Sequence, residues 1–350
     1  YTFAYKAFVL ISLLAKVCSR NIKFALYMFR EFTSKRTSLV PQAAQIKETK
    51  VSGIPRIDTS YTQRARYFDS ENAFNITHAP VPGHSFVTER DRAFDPDTGT
   101  KLILLDQSAA MKIAFPATTP LVLASYARVR AGDTLTHTAC ATTVRGFVIQ
   151  GSGRSSQGED TIEWCEGDVF CLPGGVSISH ASDSEDSILW LVTNEPQLAF
   201  ERLAPPKEGS MLVQAAHFPA NVIKRELETA DEKLNGRPSA GLAVVLSTEA
   251  LEETRNISPS LTLAMNQLRS KSVQPPHRHN AVAVSLVVNG SQCYSMIDGI
   301  RKNWDPWVTV VTPPESVHSH HNDGNEQANW LIVQDGGLYY HCRTMGFSYS

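Results

Sequence analysis

Apolar and polar residues alternate in short bursts through the middle of the chain. Residues 122–129, 145–150, 161–165, 169–172 and 188–193 are each rich enough in β-branched and aromatic side chains for a strand. Gly151-Ser152-Gly153 and Glu166-Gly167-Asp168 read as the turns between them. Strands this short and frequent close as a sandwich or barrel, placed at residues 119–196. A second barrel is predicted over 258–350, with a partly helical linker at 197–257. In that linker, residues 220–234 mix helix formers with charges until Asn235-Gly236-Arg237-Pro238 breaks the pattern. Upstream, 38–118 reads as a polar arm packed on a barrel, with strands predicted at 101–105 and 111–115 and loop punctuation at Pro80-Val81-Pro82-Gly83. Residues 1–37 differ in kind: basic residues such as Lys6, Lys16 and Arg20 punctuate a hydrophobic run that includes residues 8–14, and no acidic residue precedes Glu31. That stretch reads as a targeting or anchoring segment, as a helix without catalytic consequence, or as residues upstream of a start at Met28.

The chain also repeats itself. Residues 259–264 answer 120–125 and residues 286–290 answer 147–151, both at a shift of 139 positions. After a one-residue slip, Pro313 answers Pro173, His320 answers His180, and Trp330-Leu331 answers Trp190-Leu191, at a shift of 140. Two copies of one β-rich unit follow, which predicts an all-β fold of two tandem barrels with minor helices.

Histidines break the symmetry of the copies. His277 and His279 sit on alternate residues and so on one side of a strand, and His318 comes from a later strand behind Pro313-Pro314. Together they can make a three-nitrogen metal face. In the repeat register His277 faces Thr138, His279 faces Cys140 and His318 faces Ile178. A local slip sets His137 against His277 and Ala139 against His279 instead. In either register the first copy has no triad, leaving at most Cys140 as a soft donor. Isolated histidines, namely His78, His84, His137, His217 and His341, are expected as ordinary hydrogen-bonding groups.

Composition narrows the partners. A formal net charge of −2 gives no basic footprint, which excludes nucleic acid as the expected partner. Six cysteines without a CxxC or paired framework fit a reducing, cytoplasmic compartment, with organelle or membrane association only through residues 1–30. Trp304, Trp307, Trp330, Tyr294, Tyr339 and Tyr340 are aromatic candidates for either core or pocket, as are Met265, Gln267 and Met296 for the cavity wall.

Pro276-His277-Arg278-His279-Asn280 through Val288-Asn289-Gly290, followed by residues 312–323 around Thr312-Pro313-Pro314 and His318, resembles the two motifs of a cupin barrel. Over residues 100 to 345 the chain resembles the bicupins, double-stranded β-helix or jelly-roll pairs. Residues 281–284 lack the glutamate ligand of many cupins, so the site is similar to that of the gentisate, salicylate and 1-hydroxy-2-naphthoate dioxygenases. The resemblance implies Fe(II) at His277, His279 and His318, with Mn, Ni or Zn as alternatives. It also implies a small hydroxylated aromatic substrate, O2 as co-substrate, extradiol-type ring cleavage and a homo-oligomer. His320 falls where that family places a histidine contacting substrate or oxygen, so the resemblance implies an acid or base; the alternative is a turn cap shared with His180. Two departures stand out: Ser285 occupies the position of the carboxylate-binding arginine, and the triad is in the second barrel. Arg269 and Arg145 are the candidate replacements for that arginine. A metal-dependent lyase or isomerase and a non-catalytic binding bicupin are the alternative functions.

Overall fold

The computed structural model describes residues 59–207, 209–234 and 241–350. By contact clustering the chain forms two compact units, Tyr1–Asn75 and Ile76–Ser350. In the first, the described residues carry one short helix, α1 (Ser60–Arg64), capped by Thr59. The expected targeting segment lies outside the described residues. No helix among the described residues is long and apolar enough to cross a membrane.

The second unit holds both barrels. It opens with α2 (Val87–Phe94), β1 (Lys101–Leu104) and α3 (Ser108–Met111). The first barrel follows as β2 (Leu123–Val129), β3 (Thr134–Thr138), β4 (Thr143–Gln150), β5 (Ser152–Gln157), β6 (Asp160–Cys165), β7 (Val169–Pro173), β8 (Ser177–Ser182) and β9 (Ser187–Thr193). After α4 (Glu195–Glu201), β10 (Ala216–Phe218) and α5 (Ala220–Leu234) comes the second copy. It comprises β11 (Leu242–Leu246), β12 (Thr262–Leu268), β13 (Ser272–His279), β14 (Ala283–Asn289), β15 (Cys293–Ile297), β16 (Ile300–Asn303), β17 (Thr309–Thr312), β18 (His318–Asn322) and β19 (Ala328–Gln334). Helix α6 (Gly336–Cys342) and β20 (Phe347–Tyr349) close the chain.

Each barrel is two antiparallel sheets face to face. The first pairs β1-β2-β9-β4-β7-β10 with β3-β8-β5-β6, and the second pairs β11-β12-β19-β14-β17 with β16-β15-β18-β13-β20. One apolar cluster fills the first interior around Val144, Val148, Phe170 and Ile178, and another fills the second around Val287, Val310, Trp304 and Trp330. The largest cluster joins the outer faces of the two large sheets, with Phe147, Trp190 and Val192 from one barrel and Leu263, Leu286 and Leu331 from the other. Across that joint the Tyr126 hydroxyl donates to the Trp307 carbonyl at 2.5 Å and lies 3.0 Å from Thr309 Oγ1.

Strand faces correct the repeat register. Trp190 belongs to the cluster between barrels whereas Trp330 points into the second barrel, so the two are not structural counterparts despite their shift of 140. Between β3-β8 and β13-β18, His137 pairs with Ile178 as His277 pairs with His318, so the slipped register holds and His137, Ala139 and Ile178 are the first barrel's positions.

Two local expectations also change. The strand expected at 111–115 is absent: α3 ends at Met111, and Lys112 takes a left-handed φ of 56° with Ile113 N–H returning to the Ser108 carbonyl. Of Gly151-Ser152-Gly153 only Gly151, at φ 86°, is a turn; Ser152 already begins β5. The helix expected at residues 220–234 is present as α5.

Candidate metal centre

The candidate metal site is built by two paired strands and a bulge. Alternation on β13 puts His277 and His279 on the barrel side, and antiparallel pairing sets His318, the first residue of β18, directly opposite His277. The register shift between Gln274 and His277 absorbs Pro275-Pro276, neither of which has an N–H to donate to the ladder. All three side chains are buried, and one ligating atom from each lies within 4.8 Å of the others. Among the described residues this is the one group of His, Cys, Asp or Glu with metal-holding geometry.

Three matching backbone hydrogen bonds fix the rings. His277 Nδ1 meets the Pro275 carbonyl at 2.8 Å, His279 Nδ1 the Ala281 carbonyl at 2.7 Å, and His318 Nδ1 the Ser316 carbonyl at 2.8 Å. A carbonyl only accepts, so each Nδ1 carries the proton and each Nε2 keeps its lone pair. Burial lowers all three pKa values, that of His318 to about 4, which keeps the imidazoles neutral near pH 7. Neutral nitrogens oriented through their second ring atom are the donor set a divalent metal requires, so the residues fit a metal centre.

His320 is placed beside the triad by a relay absent from the sequence reading. Trp304 Nε1–H donates to Ser295 Oγ at 2.8 Å, and Ser295 Oγ lies 2.7 Å from His320 Nδ1. Accepting from the indole and meeting Nδ1, the serine oxygen holds the His320 ring in one orientation. Desolvation holds its pKa well below the ordinary histidine range. The first barrel repeats the relay as Trp164, Ser155 and His180, at 2.9 and 2.7 Å, and there His180 Nε2 meets His137 Nε2 at 3.1 Å. His320 is thus a buried residue of β18 beside the triad and does not cap a turn. A Trp and a Ser each recurring at a shift of 140, like the histidine they serve, were the sequence signal for this relay.

Other candidates separate cleanly. Trp304 and Trp330 flank His320, with ring centroids 5.8 and 5.2 Å from it. Phe347 on β20 stacks on His277 at 5.3 Å and stays half exposed at the rim. Met265 and Gln267 face away from the triad and line a cavity of about 290 Å³ with α5 residues Ile223 and Leu227, so the inward residues of β12 are Ala264 and Asn266. Arg269 is paired with Asp231 on α5. Arg145 is buried on the outer face of β4, its Nη1 donating to the Val192 carbonyl at 3.4 Å. Neither arginine takes the place vacated at Ser285, which points into the second barrel opposite Ile332. Tyr294 stacks on His321 and carries the Arg301 guanidinium on its ring, on the outer side of the sheet.

No family model matches the chain. Among curated proteins, the gentisate 1,2-dioxygenase of Ralstonia sp. is 29% identical over 139 residues, 39% of this chain and 39% of that protein. Gentisate 1,2 dioxygenase 1 of Aquipseudomonas alcaligenes is 27% identical over 110 residues, 31% of this chain and 32% of that protein. The matched stretches thus span under two fifths of these relatives. Solved structures match over more of the fold: salicylate 1,2-dioxygenase from Pseudaminobacter salicylatoxidans superposes with a TM-score of 0.66 at 14% identity, covering 79% of this chain and 91% of that one. Its adducts with gentisate match at a TM-score of 0.66 and 13% identity, over 79% and 87% of the two chains. This chain has the fold of those structures, two jelly-roll barrels in tandem. Among the described residues the histidine triad lies in the second barrel, and Ala139 and Ile178 stand where His279 and His318 stand in the other copy.

Proposed function

We propose that this bicupin is an Fe(II)-dependent ring-cleaving dioxygenase of the gentisate and salicylate type, acting on a hydroxylated aromatic substrate. The observation that carries it is the set of three Nδ1–carbonyl hydrogen bonds, which leaves three neutral Nε2 lone pairs converging without a protein carboxylate. Such a face would hold a divalent iron with its full double-positive charge and open positions, and the ion supplies electron transfer between a chelating phenolate and O2.

The rest is the work of the chain's own side chains. His277, His279 and His318 stay unprotonated because burial disfavours their cationic forms. His320, locked by Ser295 and Trp304, presents an N–H that stabilises developing negative charge on an oxygen beside the triad, with no proton lost to solvent. Trp330, Ile332 and Val310 keep that side of the cavity apolar, while the exposed edge of Phe347 offers a ring surface at the mouth. With Ser285 in place of an arginine, a substrate carboxylate gains at most a hydroxyl partner there. This favours phenolic or enolisable diketone-like substrates over gentisate itself. Exposed edges such as β16, where Ile300 is 61% exposed, support self-association, which sedimentation would measure.

The test is metal content together with oxygen uptake on the purified protein and on His318→Ala, across hydroxylated aromatic acids, phenols and diketones. Near one iron per chain, with substrate-dependent uptake lost in the variant, is expected. Turnover under strictly anaerobic conditions would replace this reading with a metal-dependent lyase or isomerase. Bound metal with no turnover of any compound would point to a binding bicupin.

A further inference from the structure

A fourth side chain reaches the metal face. Gln334, the last residue of β19, pairs directly with Ala283 on β14. Ala283 lies within the stretch where many cupins carry a glutamate ligand, and here its side chain is a methyl group. The face of β19 that turns Trp330 and Ile332 inward also turns Gln334 inward, by strand alternation. Its Nε2 stands 3.2 Å from His279 Nε2. Because His279 Nδ1 is committed to the Ala281 carbonyl, that Nε2 is the nitrogen an ion would take. Two donors at right angles on one ion, each about 2.1 Å from it, lie about 3 Å apart. The Gln334 amide is therefore as far from His279 Nε2 as a neighbouring ligand would be. An ion on His279 also removes the lone pair to which the amide N–H now donates, and half a turn of the terminal torsion replaces that N–H by the carbonyl oxygen.

We propose that Gln334 is a fourth donor to the metal through its side-chain oxygen, a neutral stand-in, on the adjacent strand, for the missing glutamate. A carboxamide completes the site without adding charge, so the ion keeps its full positive field while one open position is filled. The inference rests on the metal centre alone and not on oxygen chemistry.

The experiment is an anaerobic Co(II) titration of the metal-free protein without substrate, followed by visible ligand-field absorption, for the parent, Gln334→Leu and Gln334→Glu. Circular dichroism would check that each variant is folded. Gln334→Leu is expected to bind Co(II) at least about tenfold more weakly and with a shifted spectrum, while Gln334→Glu binds more tightly than the parent. Equal affinity and an unchanged spectrum in Gln334→Leu would overturn the proposal. So would weaker binding with an unchanged spectrum, since Gln334 would then only steady the His279 ring. A parent that binds no Co(II) removes the centre itself. Because oxygen and substrate are absent, a failed dioxygenase assay leaves the titration untouched.

Discussion

At the residue scale, the same three side chains do different work in the two barrels. Trp164, Ser155 and His180 end on His137, whose Nε2 meets that of His180, whereas Trp304, Ser295 and His320 sit beside the histidine triad. Ser155→Ala should therefore cost about 1–3 kcal/mol in denaturant unfolding, by stranding a buried imidazole nitrogen and an indole N–H, and leave metal content unchanged. Ser295→Ala should cost a similar amount of stability and also lower turnover about 10- to 100-fold with one metal still bound, because the His320 ring loses its fixed orientation. Equal turnover in Ser295→Ala and the parent would show that the second relay, like the first, is only packing. The triad's convergence was legible because alternate residues of one strand share a face. The relay was not, because Ser295 and Trp304 are distant in sequence from His320 and only the pairing of β15 with β18 joins them.

At the element scale, what the sequence hid is explained by burial. Strands β2, β9 and nearly all of β4 are buried along their whole length, one face in the barrel and the other in the cluster between barrels. A strand buried on both faces has no apolar–polar alternation to read, so a one-residue slip leaves the pattern intact while reversing every side chain. Hence Trp330 was matched to Trp190; Met265 and Gln267, considered for the wall of the metal-site cavity, line the cavity beside α5 instead. The bulges in β4 and β14, at Val148/Gln150 and Val287/Asn289, add further slips. Helix α5, with one face on the core and the other solvated, was readable to the residue. Its start is pinned by Asp168, whose carboxylate accepts from Ala220 N at 2.8 Å, Cys165 N at 3.0 Å and His217 Nε2 at 3.0 Å. Burial raises the Asp168 pKa, but these hydrogen bonds outweigh it and the net value is lowered. The stabilisation is therefore present above the unfolded carboxylate pKa of about 3.9 and is lost as pH falls through the lower folded value. Asp168→Asn should be about 1–3 kcal/mol less stable than the parent at pH 7, with the difference shrinking in acid. Unfolding curves at pH 7 and pH 3 check both the size and the direction.

At the scale of the whole molecule, the two barrels share one scaffold, and among the described residues only the second gathers a histidine triad. The first barrel's equivalent positions are filled by His137, Ala139 and Ile178, and Ile178 is a fully buried member of its apolar core. There His137 Nε2 lies 3.1 Å from His180 Nε2. Burial lowers the His137 pKa and takes that of His180 to about 3, so the pair shares one neutral hydrogen bond. A single neutral imidazole cannot hold a divalent ion against water, whereas three oriented ones can. Metal content should accordingly be one per chain, lost in His277→Ala and unchanged in His137→Ala, as read by elemental analysis after dialysis. The two variants should differ in stability as well. His277→Ala removes a ligand and with it the stabilisation that saturating metal confers, which grows as RT ln(1 + [L]/Kd). His137→Ala should instead shift the unfolding midpoint equally with and without metal, because the barrel it belongs to binds none. A midpoint in His137→Ala that responds to added metal less than the parent's would mean that the first barrel had retained a site of its own.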